Sequence, residues 1–176
     1  LLMIMMILIM FFFLGKYIVM IVLSPFMSIL SEKVESAIKG TPVKSDGNFF
    51  TDLIRGLRIA LRNIIRELLL TLVVIIIFNL LPVVGTIAST VVIFLVQSYY
   101  AGFGNMDYTL ERHFNSSESI RYVKSHRWLA IGNGTVFMFL LMTGLGFLFA
   151  PPLAAVAATV ETVKRIDVKE LDNEYV

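Results

Sequence analysis

The first 23 residues, Leu1 to Leu23, are apolar throughout except for Gly15 and Lys16. At 1.5 Å rise per residue such a helix is about 34 Å long, enough to cross a hydrocarbon core of about 30 Å. An α-helical integral membrane protein is the class that accommodates this run. Composition agrees: 57% of residues are hydrophobic and 16% charged, where soluble domains carry about 25% charged. The chain opens Leu1-Leu2-Met3-Ile4, with neither an initiator methionine nor the basic n-region of a signal peptide. It is therefore expected to begin inside a helix, with natural residues missing upstream. Lys16 either lines a pathway or snorkels and packs against a neighbouring helix.

Ser24-Pro25 reads as a helix restart, Ser as N-cap and Pro as first helical residue. Phe26, Ile29, Leu30, Val34 and Ile38 then recur at helical spacing, with Glu32, Lys33, Glu35 and Lys39 between them. Gly40 and Pro42 close the element. The first helix is thus expected to run on, kinked, as an amphipathic piece at or beyond the membrane surface. Lys44 to Asn48 reads as a turn.

From Phe49 a second amphipathic helix begins, with Leu53, Leu57, Ala60, Leu61, Ile64 and Leu68 on one face. Arg55, Arg58, Arg62 and Arg66, spaced 3, 4 and 4, form a basic stripe on another. The helix leads into the apolar run Leu68–Leu81, broken only by Asn79, and Pro82-Val83-Val84-Gly85 interrupts it. Thr86–Phe103 resumes, with Gln97 as its main polar member. Residues 104–127 are polar, and the single tryptophan, Trp128, stands where an interfacial anchor belongs. Gly132-Asn133-Gly134 reads as a flexible entry to a second broken block, Thr135–Ala150, Pro151-Pro152, Leu153–Val160. The tail after Glu161 is expected to lie on the surface or fray.

One membrane domain over 1–176 is expected, with 39–66 and 104–127 as polar or amphipathic surface segments. Both of these and the tail hold Lys and Arg groups, and the positive-inside rule places all three on the cytoplasmic side. Each broken block then enters the bilayer and returns, with Pro82, Gly85, Pro151 and Pro152 at the hairpin tips. Only the first helix and the Arg-led helix cross fully in this reading. Four ordinary spans with Pro kinks are the alternative.

No enzyme is expected: the sequence lacks GxSxG, Walker A and HExxH motifs. No cysteine is present, which excludes disulfides and thiolate metal sites, and two histidines, His113 and His126, cannot build a Cys/His metal cluster. A net charge of +2 gives no reason to expect a nucleic-acid partner. The arginine stripe suits an oxyanion, which guanidinium forks match bidentately; contact with anionic lipid, which would set orientation, is the favoured reading for the stripe as a whole. Glu32 and Glu35 either relay protons or pair with basic neighbours. Asn79 and Gln97 either line a path or bond across helices.

Ser24-Pro25-Phe26, followed by Leu30, Glu32, Val34, Glu35 and Gly40, resembles the signature of the CysZ sulfate-uptake family. Leu81-Pro82-Val83-Val84-Gly85, Asp107-Tyr108, and Pro152 followed by Ala158-Thr159 extend the resemblance in order, over roughly residues 24–165. The wider superfamily includes a eukaryotic etoposide-induced, autophagy-linked membrane protein. The resemblance implies a multi-pass protein of the bacterial inner membrane that imports sulfate for cysteine synthesis. It also implies two long transmembrane helices, two pairs of partly penetrating helices, and a homo-oligomer. Glu32, Glu35, Pro82 and Asp107 match by position and carry over as structural or pathway candidates. Gly56-Leu57-Arg58 has the letters of the family's anion-site motif but lies elsewhere in the chain, so that role is not transferred. The polar loop departs from the family pattern, which leaves room for another substrate. A non-transporting membrane scaffold is the second reading.

Overall fold

The computed structural model describes residues 2–43, 49–78, 84–143 and 145–174; side chains are described at Met3 and from Val22 on, except 49, 51–53, 55, 56, 59, 84 and 168–174. Its elements are all helical: α1 (Leu2–Lys39), α2 (Phe49–Phe78), α3 (Val84–His113), α4 (Ser116–Ser125), α5 (Arg127–Leu141) and α6 (Gly146–Glu174). Among the described residues two stretches are long and apolar enough to cross a membrane, Gly85–His113 in α3 and Gly146–Asp167 in α6.

α1 passes through Pro25 without ending. Gly40 stops it as read from the sequence: at φ 67° it adopts the left-handed cap, and its N–H bonds the Ser36 carbonyl at 2.9 Å. α4 is started by a capping box. Asn115 accepts from the N–H groups of Ser117 and Glu118 at 3.0 Å each, and Glu118 accepts from the Asn115 N–H at 2.9 Å.

α3 is the hub and touches all five other helices, α5 most extensively. Phe103, Met106 and Leu110 of α3 pack with Tyr122 and Val123 of α4, Ala130 of α5, and Ala158 and Ile166 of α6. The whole stretch 101–110 is buried, so the segment read as surface-lying from residue 104 starts inside the protein. Asn105, Asp107 and Thr109 in this stretch are buried against other helices, which periodicity alone does not disclose. The outer surface is apolar instead: Leu68, Leu69, Leu72, Ile76, Val91, Phe139 and Phe149 are all exposed. Apolar exposure on this scale suits lipid and not water.

Two further expectations are corrected. Gly132-Asn133-Gly134 is no entry loop but the middle of α5. Likewise, Pro151 and Pro152 are not a hairpin tip, because both lie within α6. The chain reverses earlier, around Met142–Leu145, where Thr143 N–H and Oγ1 both bond the Leu140 carbonyl, at 3.1 and 2.7 Å. Gly146 permits this turn. A β-carbon there would stand 1.6 Å from the Leu140 oxygen. Both prolines lie beyond the first turn of α6, where each removes an N–H that would have bonded the Phe147 or Leu148 carbonyl. Pro82 and Asn79 lie outside the described residues, and Gly85 is buried as the second residue of α3.

Candidate functional site

Ser24, Ser28, Ser31 and Glu35 follow one another at intervals of 4, 3 and 4, a single face of α1, and all four are buried. A polar stripe in so apolar a helix must find partners, because an unpaired buried polar group costs about 1–3 kcal/mol. It finds them on α3 and α6. Ser24 bonds the Tyr108 hydroxyl, and Ser28 Oγ donates to Glu111 Oε1 at 2.6 Å. Ser31, Thr109 and Thr159 close a ring of three hydroxyls with separations of 2.9–3.0 Å, one from each of α1, α3 and α6.

Glu35 anchors the end of the stripe. Arg112 Nε donates to its Oε2 at 2.9 Å, and Arg112 Nη2 lies 2.8 Å from the same oxygen. His113 Nε2 is 2.6 Å from Oε1, and Lys39 Nζ is 3.3 Å from Oε1 and 3.4 Å from Asp167 Oδ1. The same guanidinium donates from Nη2 to Ser31 at 2.7 Å and from Nη1 to the Tyr108 carbonyl at 2.6 Å. Every guanidinium nitrogen is engaged by the protein, so Arg112 is a clamp between helices and not a receptor for an anion.

Burial by itself would raise the Glu35 carboxyl, but the hydrogen bonds and charges of His113 and Arg112 outweigh it and hold the pKa down from 4.5 to about 2. A depressed carboxylate stabilises the fold fully above its unfolded pKa, and that stability is lost as pH falls through the folded value. The window is therefore about pH 4.5 down to about 2. The contribution is on the order of 3 kcal/mol, at 1.36 kcal/mol per unit. Thermal unfolding in detergent should show the native protein and Glu35→Gln far apart at pH 7 and converging below pH 4.5. A gap independent of pH would show that ionised Glu35 does not carry this stability.

The arginine stripe does not act as one unit. Arg58 and Arg66 are exposed, the side chain of Arg55 lies outside the described ones, and Arg62 is half-buried over the Phe103 ring, 4.8 Å from its centroid. Asp107, buried on α3, is close enough to act electrostatically on Arg62. Glu32 is half-buried, one position off the α1 polar face, and Gln97 is half-buried on α3. A second polar joint links three helices: Asn105 Nδ2 donates to Asn133 Oδ1 at 2.8 Å, and Asn133 Nδ2 to the Ala154 carbonyl at 2.9 Å. Of this joint the sequence marks Glu35 alone as a site candidate; Lys39, Arg112, His113, Ser31, Thr109 and Thr159 join it only in the structure. The serine spacing was the available signal. No group of three or more metal-ligating side chains occurs among the described residues.

A family model described as sulfate transporter CysZ/etoposide-induced protein 2.4 matches residues 1–152, that is, α1 to α5 and the start of α6. The chain belongs to this family. The resemblance read from the ordered motifs is thereby met. A relative from Pseudomonas fluorescens (strain Pf-5), named sulfate transporter CysZ, is 28% identical over 155 residues, covering 86% of this chain and 61% of the relative. The chain thus spans less than two thirds of that relative's length. The family description names a sulfate transporter beside the etoposide-induced protein and names no enzyme, and the relative is likewise a transporter by name.

Proposed function

We propose that the protein takes up a small inorganic oxyanion, sulfate, across the bacterial inner membrane as a multi-pass homo-oligomer, supplying cysteine synthesis. The family match over residues 1–152 carries this reading, and the relative's name supports sulfate in particular. Because Arg112 is saturated, the anion is assigned to the guanidiniums of α2. Arg62 faces Phe103 and Asp107 on α3, and Arg58 and Arg66 flank it on the exposed side. The proposed path follows the α2–α3 seam past Gln97 and Asp107; Asn79, outside the described residues, stays a pathway candidate from the sequence alone. Glu35 supports this path from the neighbouring joint and does not line it.

Partial penetration of the α5–α6 pair is part of the proposal. α5 has 15 residues, about 22 Å as helix, which is short of a hydrocarbon core of about 30 Å. Radiolabelled sulfate should enter liposomes carrying the protein, and replacing Arg58, Arg62 and Arg66 together by Gln should cut uptake about tenfold or more, given that charged hydrogen bonds contribute about 1.5–3 kcal/mol each. Uptake no greater than into empty liposomes, with folded protein confirmed, rejects the transport reading. A strain without the protein that still grows on sulfate as sole sulfur source would favour the scaffold instead.

A further inference from the structure

α4 buries Ser119, Tyr122 and Val123 and turns Arg121 and Lys124 outward. Two residues after Lys124 the chain bends at His126, which caps α4 and precedes α5. This corner is rigid: the His126 ring stacks on Tyr122 at 4.3 Å, its Nδ1 lies 3.0 Å from the Tyr122 carbonyl, and Ser125 Oγ donates to that carbonyl at 2.8 Å. Arg127 and Trp128 follow at once, both exposed, with the guanidinium 5.6 Å from the indole centroid.

From Trp128 onward the exposed side of α5 changes character. Trp128, Gly132, Val136 and Phe139 are exposed at intervals of 4, 4 and 3, one uncharged stripe about 17 Å long. It continues past the turn through Leu145, Phe147, Leu148 and Phe149. Before Trp128 the exposed charges are Arg121, Lys124 and Arg127, opposed by the half-exposed Glu118, which lies 3.9 Å from Arg121. Three basic residues less one acidic leave +2 at the border of an apolar surface. A tryptophan at such a border is an interfacial side chain, and cations beside it meet lipid phosphate.

We infer that the α4–α5 corner is a docking site for anionic phospholipid headgroups, with Arg121, Lys124 and Arg127 on the lipid phosphates and Trp128 at the level of the glycerol backbone. The packed corner fixes the backbone that carries all three cations, so binding has only their side chains to order. The inference goes beyond the transport reading, and its test measures no flux.

Trp128 is the only tryptophan in the chain, so its fluorescence reports this site alone. The protein is placed in vesicles of equal phosphatidylcholine and phosphatidylglycerol, with bromine on the acyl chains of one lipid or the other. Each basic residue near an anionic surface favours it roughly fivefold, and screening reduces this. Brominated phosphatidylglycerol should therefore quench Trp128 with at least about a threefold apparent preference at low salt. The preference should vanish in the variant Arg121→Gln, Lys124→Gln, Arg127→Gln, whose changes all lie on the exposed surface. Equal quenching by the two brominated lipids in the native protein overturns the inference. A preference that survives in the folded triple variant also overturns it.

Discussion

Gly134→Ala should cost roughly 3–5 kcal/mol of stability or prevent folding, the largest effect expected of so small a change. A β-carbon at Gly134 would stand 1.7 Å from the Ser98 carbonyl oxygen and 2.7 Å from the Gly102 nitrogen. Ordinary C···O contacts lie at about 3.3 Å or more, so α5 would have to retreat from α3 by about 1.5 Å. Both obstacles are backbone, so no side-chain rotation relieves the clash. Retreat would open the packing of Phe137 and Met138 against Ala101 and stretch the Asn105–Asn133 bond. Overpacking alone costs about 1–3 kcal/mol, and the cavities opened nearby add to it. Gly102→Ala should behave alike, because its β-carbon would stand 1.8 Å from the Ala130 oxygen. Gly132→Ala is the control: nothing lies within 4 Å of its β-carbon, and alanine is favoured over glycine in helices by about 1 kcal/mol. Thermal unfolding in detergent should rank Gly132→Ala at or above the native protein and the other two far below. Stability of Gly134→Ala within about 1 kcal/mol of the native protein would mean that α3 and α5 do not meet backbone to backbone.

Glu35→Ala is the second large loss, and its partner variant tests the mechanism. Glu35 is fully buried and the Arg112 side chain 5% exposed. Removing the carboxylate leaves a buried guanidinium with its strongest counter-charge gone, a change that costs about 3–5 kcal/mol. Arg112→Met should cost a similar amount, since Glu35 would keep only His113 and Lys39. The double variant Glu35→Leu/Arg112→Met should lose less than the sum of the two singles by about 2 kcal/mol or more, because each single change strands a charge that the double removes. Additive losses would show that the two side chains do not act as a pair. Ser31 accepts from Arg112 at 2.7 Å in the native joint, so the hydroxyl ring should tolerate the double variant less well than the apolar surroundings do.

These two results separate stability from transport. Gly134 and Glu35 belong to joints that hold α1, α5 and α6 on α3, while the arginines assigned to the anion sit on α2. Variants of the joints should lose folded protein. Variants of Arg58 and Arg66, both exposed on α2, should lose flux and keep their melting behaviour.

Read as sequence, the chain disclosed whatever depends on neighbours a few residues apart. The apolar run Leu1–Leu23 set the class, and Gly40 before Pro42 marked the end of α1, because helix length, capping and solvent preference are local quantities. The motif order marked the family for the same reason. Tertiary contact decided the rest. Gly132-Asn133-Gly134 looks like a loop by composition, yet Gly134 is in a helix interior because another helix backbone occupies the place of its side chain. Pro151-Pro152 looks like a turn, yet the reversal belongs to Gly146, whose missing β-carbon makes room for Leu140. Glu35 could be singled out in the sequence, but its partners Arg112 and His113 lie 77 and 78 residues away. Which polar groups in an apolar chain meet one another depends on how the helices pack, and no period or cap in the chain encodes that pairing.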